Sequence, residues 1–174
     1  MDPRAFIDEP SEGRSRETAI RRDAAGRWWN ADVAITHPNV TAAFDGWIRR
    51  AEDGRLCLAN DINWAYVEIE GAPYTVRHVS FGEEIRVQLS GGLEEPLDAS
   101  TLRVDASGHL YCDVLEGTLA AVFSGAAMNE LADAFEDDGR VLRLLGKRWT
   151  LSSVADPLTP HREAKSRVVD APPS

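Results

Sequence analysis

The chain has 174 residues, 43% of them hydrophobic and 28% charged, which suits one globular domain or two small halves packed together. No apolar run approaches the roughly 18 residues of a membrane-spanning helix, and Met1-Asp2-Pro3-Arg4 lacks the apolar stretch of a signal peptide, so a cytoplasmic protein is expected. With 29 acids against 19 bases, the net charge of -10 argues against nucleic acid and anionic membranes as partners.

Residues 1–19 are rich in Pro, Gly, Ser and charge and show no periodicity beyond the apolar pair Phe6-Ile7. They read as a flexible tail, with Phe6-Ile7 as a short docking motif at most. The same texture returns over 156–174, the second expected tail. Both tails are close to neutral, so the acidity belongs to the middle of the chain. The bases are almost all Arg, with Lys147 and Lys165 the exceptions, a composition associated with GC-rich bacterial genomes.

The main organising feature is an internal echo. Ile20 to Trp29 aligns without gaps to Leu102 to Tyr111, with Arg21/Arg103, Asp23/Asp105, Ala24/Ala106 and Gly26/Gly108 identical. Each segment reads as strand, Asp-x-x-Gly turn, strand, because Asp closes the turn with its side chain and Gly supplies positive φ. Downstream, Val40, Phe44, Trp47 and Ile48 form a helical stripe. Thr36 is its expected cap, and Ile35 packing on Val40 its expected staple. Met128, Leu131, Ala132 and Phe135 form the second stripe, with Ser124 as cap and Phe123 with Met128 as staple. Each stripe runs into an acidic turn, Asp53-Gly54-Arg55 and Asp138-Gly139-Arg140. The offset drifts from 82 at the hairpin to 85 at this turn, a period too long for a solenoid unit.

Between the copies the sequence is rich in strands. Trp64, Tyr66, Glu68 and Glu70 alternate with Ala65, Val67 and Ile69, which predicts one strand with aromatics and carboxylates on a single face. A meander follows from Tyr74 to Gly92, and a last hairpin joins Val141–Leu145 to Trp149–Val154 through Gly146-Lys147-Arg148. The expected fold class is α+β, two similar halves each built of antiparallel hairpins with one amphipathic helix. The first half covers 20–98 and the second 99–155.

The order of Trp28-Trp29, Ile35-Thr36-His37-Pro38, Phe44, Arg49-Arg50, Gly54-Arg55 and Val67-Glu68-Ile69-Glu70-Gly71-Ala72-Pro73-Tyr74 resembles the bacterial domain-of-unknown-function 1285 family over about residues 20–155. The resemblance implies two similar α+β halves and a role in signalling or small-ligand binding. The chain departs from the pattern at Asp61-Ile62-Asn63-Trp64, where Pro-Val-Glu-Lys is expected. It departs again at Ser90-Gly91-Gly92-Leu93, in place of an Asn-x-Gly-Asp loop.

Catalytic signatures are lacking. Ser80 and Ser124-Gly125 have no nucleophile-elbow context, and Gly91-Gly92 has no following Lys-Ser/Thr and is followed by the repelling pair Glu94-Glu95. The spacing of His37, His78, His109 and His161 makes no metal site, and Cys57 and Cys112 read as small buried thiols. No cofactor is expected.

Glu68 and Glu70, about 7 Å apart along a strand, have a spacing that serves acid–base chemistry, although exposed alternating acids are usually just solvated. Trp64, Tyr66 and Tyr74 could wall a small concave site beside them. Arg49, Arg50 and Arg55 cluster at the end of the first helix, where they meet its dipole or hold an anion. The ligand-binding candidates are therefore Arg49, Arg50, Trp64, Tyr66, Glu68, Glu70 and Tyr74. The expected function is a non-enzymatic ligand-binding or regulatory module with its site between the halves, acting on a small molecule or a basic partner protein. The alternatives are a scaffold domain, with exposed aromatics forming a partner or homodimer interface, and an enzyme using Glu68, Glu70 or Asp61.

Overall fold

The computed structural model describes residues 15–160. Phe6-Ile7, His161 and the greater part of both expected tails lie outside the described residues. The chain divides into two compact units, one running to Pro73 and the other beginning at Tyr74.

The first unit contains β1 (Ile20–Arg22), β2 (Trp28–Asn30), β3 (Val33–Ile35), α1 (Pro38–Trp47), β4 (Ile48–Arg50), β5 (Leu56–Ala59), β6 (Trp64–Tyr66) and β7 (Glu68–Ile69). The second opens with a meander of β8 (Tyr74–Phe81), β9 (Ile85–Leu89) and β10 (Glu94–Pro96). It then repeats the whole series as β11 (Arg103–Val104), β12 (Leu110–Val114), β13 (Leu119–Phe123), α2 (Gly125–Glu130), β14 (Phe135–Glu136), β15 (Val141–Leu144), β16 (Lys147–Thr150) and β17 (Ser152–Ser153).

Topology repeats with order. In the first unit β3-β2-β1-β7 form one sheet and β4-β5-β6 another. In the second, β13-β12-β11-β17 and β14-β15-β16 reproduce both, and β8, β9 and β10 extend the larger sheet outward from β13. Register repeats too: Arg21 faces Trp29 as Arg103 faces Tyr111. The fold is α+β in two similar halves, as expected.

Each half also holds a device that local pattern does not announce. β7 pairs parallel to β1, and β17 parallel to β11. The backbone N–H of Glu70 donates to Arg22 O (3.0 Å), and that of Val154 to Val104 O (2.9 Å), closing both sheets the same way. To get there the chain leaves one sheet for the other at Val67 and at Leu151. The predicted single strand over 64–70 is therefore two, with Trp64 and Tyr66 in one sheet and Glu68 in another. The last hairpin is corrected likewise: its turn is Leu145-Gly146, both at positive φ as a tight two-residue turn requires, and Lys147 and Arg148 belong to β16.

The Asp-x-x-Gly turns are built alike. Asp23 Oδ1 accepts the N–H groups of Ala25 (3.0 Å) and Arg27 (2.9 Å), and Asp105 Oδ1 those of Ser107 (2.8 Å) and His109 (2.9 Å). The second oxygen takes Trp29 Nε1 in one turn and Tyr111 Oη in the other. Gly26 and Gly108 sit at φ +79° and +84°.

These donors favour the carboxylate. The Arg27 amide leads in holding Asp23 at about 2. At Asp105 desolvation pushes upward, yet the His109 amide and side chain with the Ser107 amide bring it to about 2. A depressed carboxyl contributes stability above its unfolded value, near 3.8, and loses it as pH falls toward 2. Asp105→Asn is thus expected to narrow its stability gap from the parent as pH drops from about 4 to 2, measured by urea unfolding at several pH values. A gap that stays constant over that range would contradict this role.

The helices differ from expectation at their starts and lengths. α1 begins with Pro38 in its first turn and His37 in the extended N-cap position with no side-chain bond, so Thr36 is not the cap. Proline lacks the N–H that a cap would satisfy and presets the helical φ. α2 is capped as predicted, Ser124 Oγ accepting from Ala127 N at 3.2 Å. It is short, however, and Phe135 lies beyond it in β14.

The first unit's core gathers Trp28, Val40, Phe44, Ile48, Cys57 and Leu58, with the Trp28 and Phe44 rings edge-to-face at 5.3 Å. The second unit buries Leu89, Leu110, Cys112, Leu119, Leu131 and Leu142. Both cysteines are free and buried as expected, and desolvation first of all pushes the Cys57 thiol up to about 11 and the Cys112 thiol higher still. No helix among the described residues is long and apolar enough to cross a membrane.

Candidate functional site

The second unit departs from the first in two places, and a cavity forms where they meet. One is the added meander ending in β10. The other is the β12–β13 hairpin. In the first unit β2 turns at Ala31-Asp32 into β3, whereas β12 and β13 run on to pair Val114 with Leu119 before turning. A cavity of about 430 Å³ opens here, lined by Glu95, Pro96, Asp98, Thr101, Asp113, Glu116 and Gly117. That volume lies in the range of small-molecule sites.

Its walls are held from both sides. The hairpin turn places Leu115 (φ 50°), Glu116 (φ 59°) and Gly117 (φ 79°) successively in the left-handed region. For the two non-glycine residues this conformation costs energy and persists only where the surroundings impose it. Glu95 supplies part of that constraint: its two carboxylate oxygens accept from Leu115 N at 3.0 and 3.2 Å. Desolvation raises the Glu95 pKa above 4.5, opposed by the Leu115 amide and aided by the nearby Glu116 charge.

Asp98 caps the 3-10 turn over Ala99–Thr101, accepting from Ser100 N and Ser100 Oγ. Thr101 Oγ donates to Asp98 O (2.7 Å) and accepts from Asp113 N (3.0 Å), tying the β10–β11 link to β12. Beneath it lies a buried ion pair, Asp113 Oδ1 at 2.7 Å from Arg103 Nη1, the side chains 1% and 0% exposed. The same Nη1 also donates to Thr101 O at 2.9 Å. Arg103 Nε and Nη2 both reach Pro157 O, at 2.9 and 2.7 Å.

The cavity's net character is therefore set by Glu95, Asp98 and Glu116, because Asp113 is balanced by Arg103. Among the described residues no group of three His, Cys, Asp or Glu side chains has the geometry to hold a metal ion. The arrangement offers hydrogen-bond acceptors and negative charge without a nucleophile beside a base.

The sequence-derived candidates lie elsewhere and apart. Arg49 and Arg50 are in β4, not in the helix. Arg49 Nη1 still reaches the helix end, donating to Gly46 O (3.0 Å) and Ile48 O (2.7 Å), and Arg50 Nη1 donates to Gly54 O (2.8 Å). Trp64 and Tyr66 share β6, their rings perpendicular at 5.0 Å. Glu68 is exposed in β7 opposite Arg21, and Glu70 Oε2 accepts from Ala24 N at 3.0 Å. Tyr74 is wholly buried at the start of β8, in the other unit. None of the seven lines the cavity. Glu95, Asp98 and Glu116 stand in loops and strand ends with no motif around them, and the sequence signal that points to them is the failure of the repeat over 93–98 and 113–118.

A duplicated α+β architecture with an extra meander in the second copy is the class this chain defines. Two solved structures are similar to it in fold. A DUF1285 family protein from Silicibacter pomeroyi DSS-3 matches with a TM-score of 0.60 at 18% identity, covering 86% of each chain. A DUF1285 family protein from Shewanella baltica OS155 matches with a TM-score of 0.55 at 17% identity, covering 70% of this chain and 96% of that one. The protein has the fold of the domain-of-unknown-function 1285 proteins. No family model and no curated protein matches the sequence.

Proposed function

We propose that the protein is a non-enzymatic ligand-binding module of the regulatory kind, and that its second unit takes a small cationic ligand, an amine or guanidinium compound. The observation that carries this reading is the cavity of about 430 Å³ walled by Glu95, Asp98 and Glu116. Negative charge focused in a partly enclosed site attracts cations and strengthens each charged hydrogen bond there. The wider charge of -10 points the same way.

A thermal-shift series with small diamines, guanidinium compounds and matched neutral alcohols tests the reading. At 100-fold excess over its dissociation constant a ligand adds about 2.7 kcal/mol, a clear rise in Tm. Cations should raise Tm and alcohols should not, and Glu95→Gln should weaken binding about tenfold. Because the Glu95 pKa is raised, affinity should weaken as pH is lowered, and the loss should already begin before pH falls to 4.5 as the carboxylate takes up its proton. Equal shifts from cations and alcohols, or none from either, would remove this function.

A further inference from the structure

The edge of β6 carries a second binding geometry, and the chain fills it with itself. β6 is an outer strand of the β4-β5-β6 sheet, and residues 16–18 lie along its open side. Tyr66 N donates to Arg16 O (2.9 Å), and Thr18 Oγ donates to Tyr66 O (2.6 Å). The Arg16 guanidinium stacks over the Trp64 ring with Cζ 4.2 Å from its centre. Its Nη1 donates to Asn63 Oδ1 (3.0 Å) and Trp64 O (2.7 Å), and Asn63 is only 3% exposed. Alongside, Glu17 pairs with Arg55 at 2.8 Å, and Arg55 lies 3.3 Å over the Tyr66 ring. Tyr66 Oη and Arg55 Nε both bond Asp53 Oδ2, which fixes this second stack.

An aromatic face beside two acceptor oxygens is matched to a guanidinium, which stacks flat on a ring while its N–H groups donate. The outward amide and carbonyl of Tyr66 are matched to an extended backbone, the strand-addition mode of peptide recognition. Nothing in these contacts requires the peptide to come from the same chain. The strap is polar, and Ser15, Glu17, Thr18 and Ala19 are exposed. Segments held by few apolar contacts open locally at low cost.

We propose that the β6 edge, with Trp64, Tyr66, Asn63 and Arg55, is a recognition site for an extended peptide carrying Arg followed by an acidic residue, and that residues 16–18 occupy it in cis. The strap acts as a competitor at the millimolar effective concentration of a short tether. An incoming segment of the same chemistry binds only by displacing it. This site is separate from the acidic cavity and stands or falls without it.

The test uses the full chain carrying Arg16→Ala and Glu17→Ala, which empties the side-chain positions, and a synthetic peptide Ser-Arg-Glu-Thr-Ala. The expected result is saturable binding, followed through the Trp64 indole N–H resonance, at least about tenfold tighter to the variant than to the parent. The peptide with Ala in place of Arg should lose that binding, and isothermal titration calorimetry should show the same loss in a variant that also carries Trp64→Ala. Circular dichroism reports whether the variant keeps its fold. If it does not, excess peptide added to the parent chain should still shift the Trp64 indole resonance. Absence of a Trp64 shift in both chains, or binding that ignores the peptide's Arg, overturns the proposal.

Discussion

Asp113→Ala is expected to destabilise the second unit by about 3–5 kcal/mol, the cost of leaving one charge of a buried pair behind. Arg103 is fully enclosed and would keep its carbonyl partners Thr101 and Pro157 but lose the countercharge 2.7 Å away. Carbonyl oxygens solvate a guanidinium in part and do not neutralise it. The distinguishing control removes both charges: Arg103→Met with Asp113→Leu is expected to fall close to the parent, because apolar groups of similar volume carry no desolvation penalty. Urea unfolding followed by far-UV circular dichroism gives both values. A single substitution costing under about 1 kcal/mol would show the pair to be solvated, as exposed pairs are.

Trp28→Ala is expected to cost the first unit a similar amount, about 3–5 kcal/mol, through lost apolar burial and the cavity left behind. The indole is 1% exposed, packs edge-on against Phe44, and donates from Nε1 to Asp45 Oδ1 at 2.9 Å. Asp45 in turn lies 3.5 Å from the Nε of buried Arg22, whose Nη1 reaches Pro73 O at 3.1 Å. Trp28→Phe separates the two contributions. It keeps most of the packing and removes the indole donor, so about 1.5–3 kcal/mol should remain, the worth of a hydrogen bond to a charged, part-buried acceptor. If Trp28→Phe costs as much as Trp28→Ala, the hydrogen bond to Asp45 dominates over packing.

What could be read from sequence was local. The Asp23 and Asp105 turns depend on a side chain bonding N–H groups two and four residues ahead, so both were visible as a spacing. The Ser124 cap is of the same kind. What stayed hidden was set by distant parts of the chain. From Trp64 to Glu70 burial keeps alternating with period two, yet the chain changes sheets at Val67, because each short strand is covered on one face wherever it pairs. Alternation reports a covered face and not which neighbour covers it. Arg16 had no signal either: it sits in a polar segment without periodicity and is held by the edge of β6.

The cavity illustrates the same limit from the other side. Its residues became conspicuous only after the two halves could be laid over one another, since they come from the meander, its link to β11 and the hairpin extension rather than from the segments the copies share. Duplication supplied a scaffold twice, and the added segments gave the second copy a wall of carboxylates. The ligand site proposed above lies here, where the copies differ.

Amide chemical-shift mapping during titration with a small diamine tests that placement most directly. Saturable shifts confined to Glu95, Asp98, Leu115, Glu116 and Gly117 are expected, with the matching β2–β3 turn at Ala31-Asp32 unmoved. Shifts spread evenly over acidic surface residues, or centred on the first unit, would contradict it.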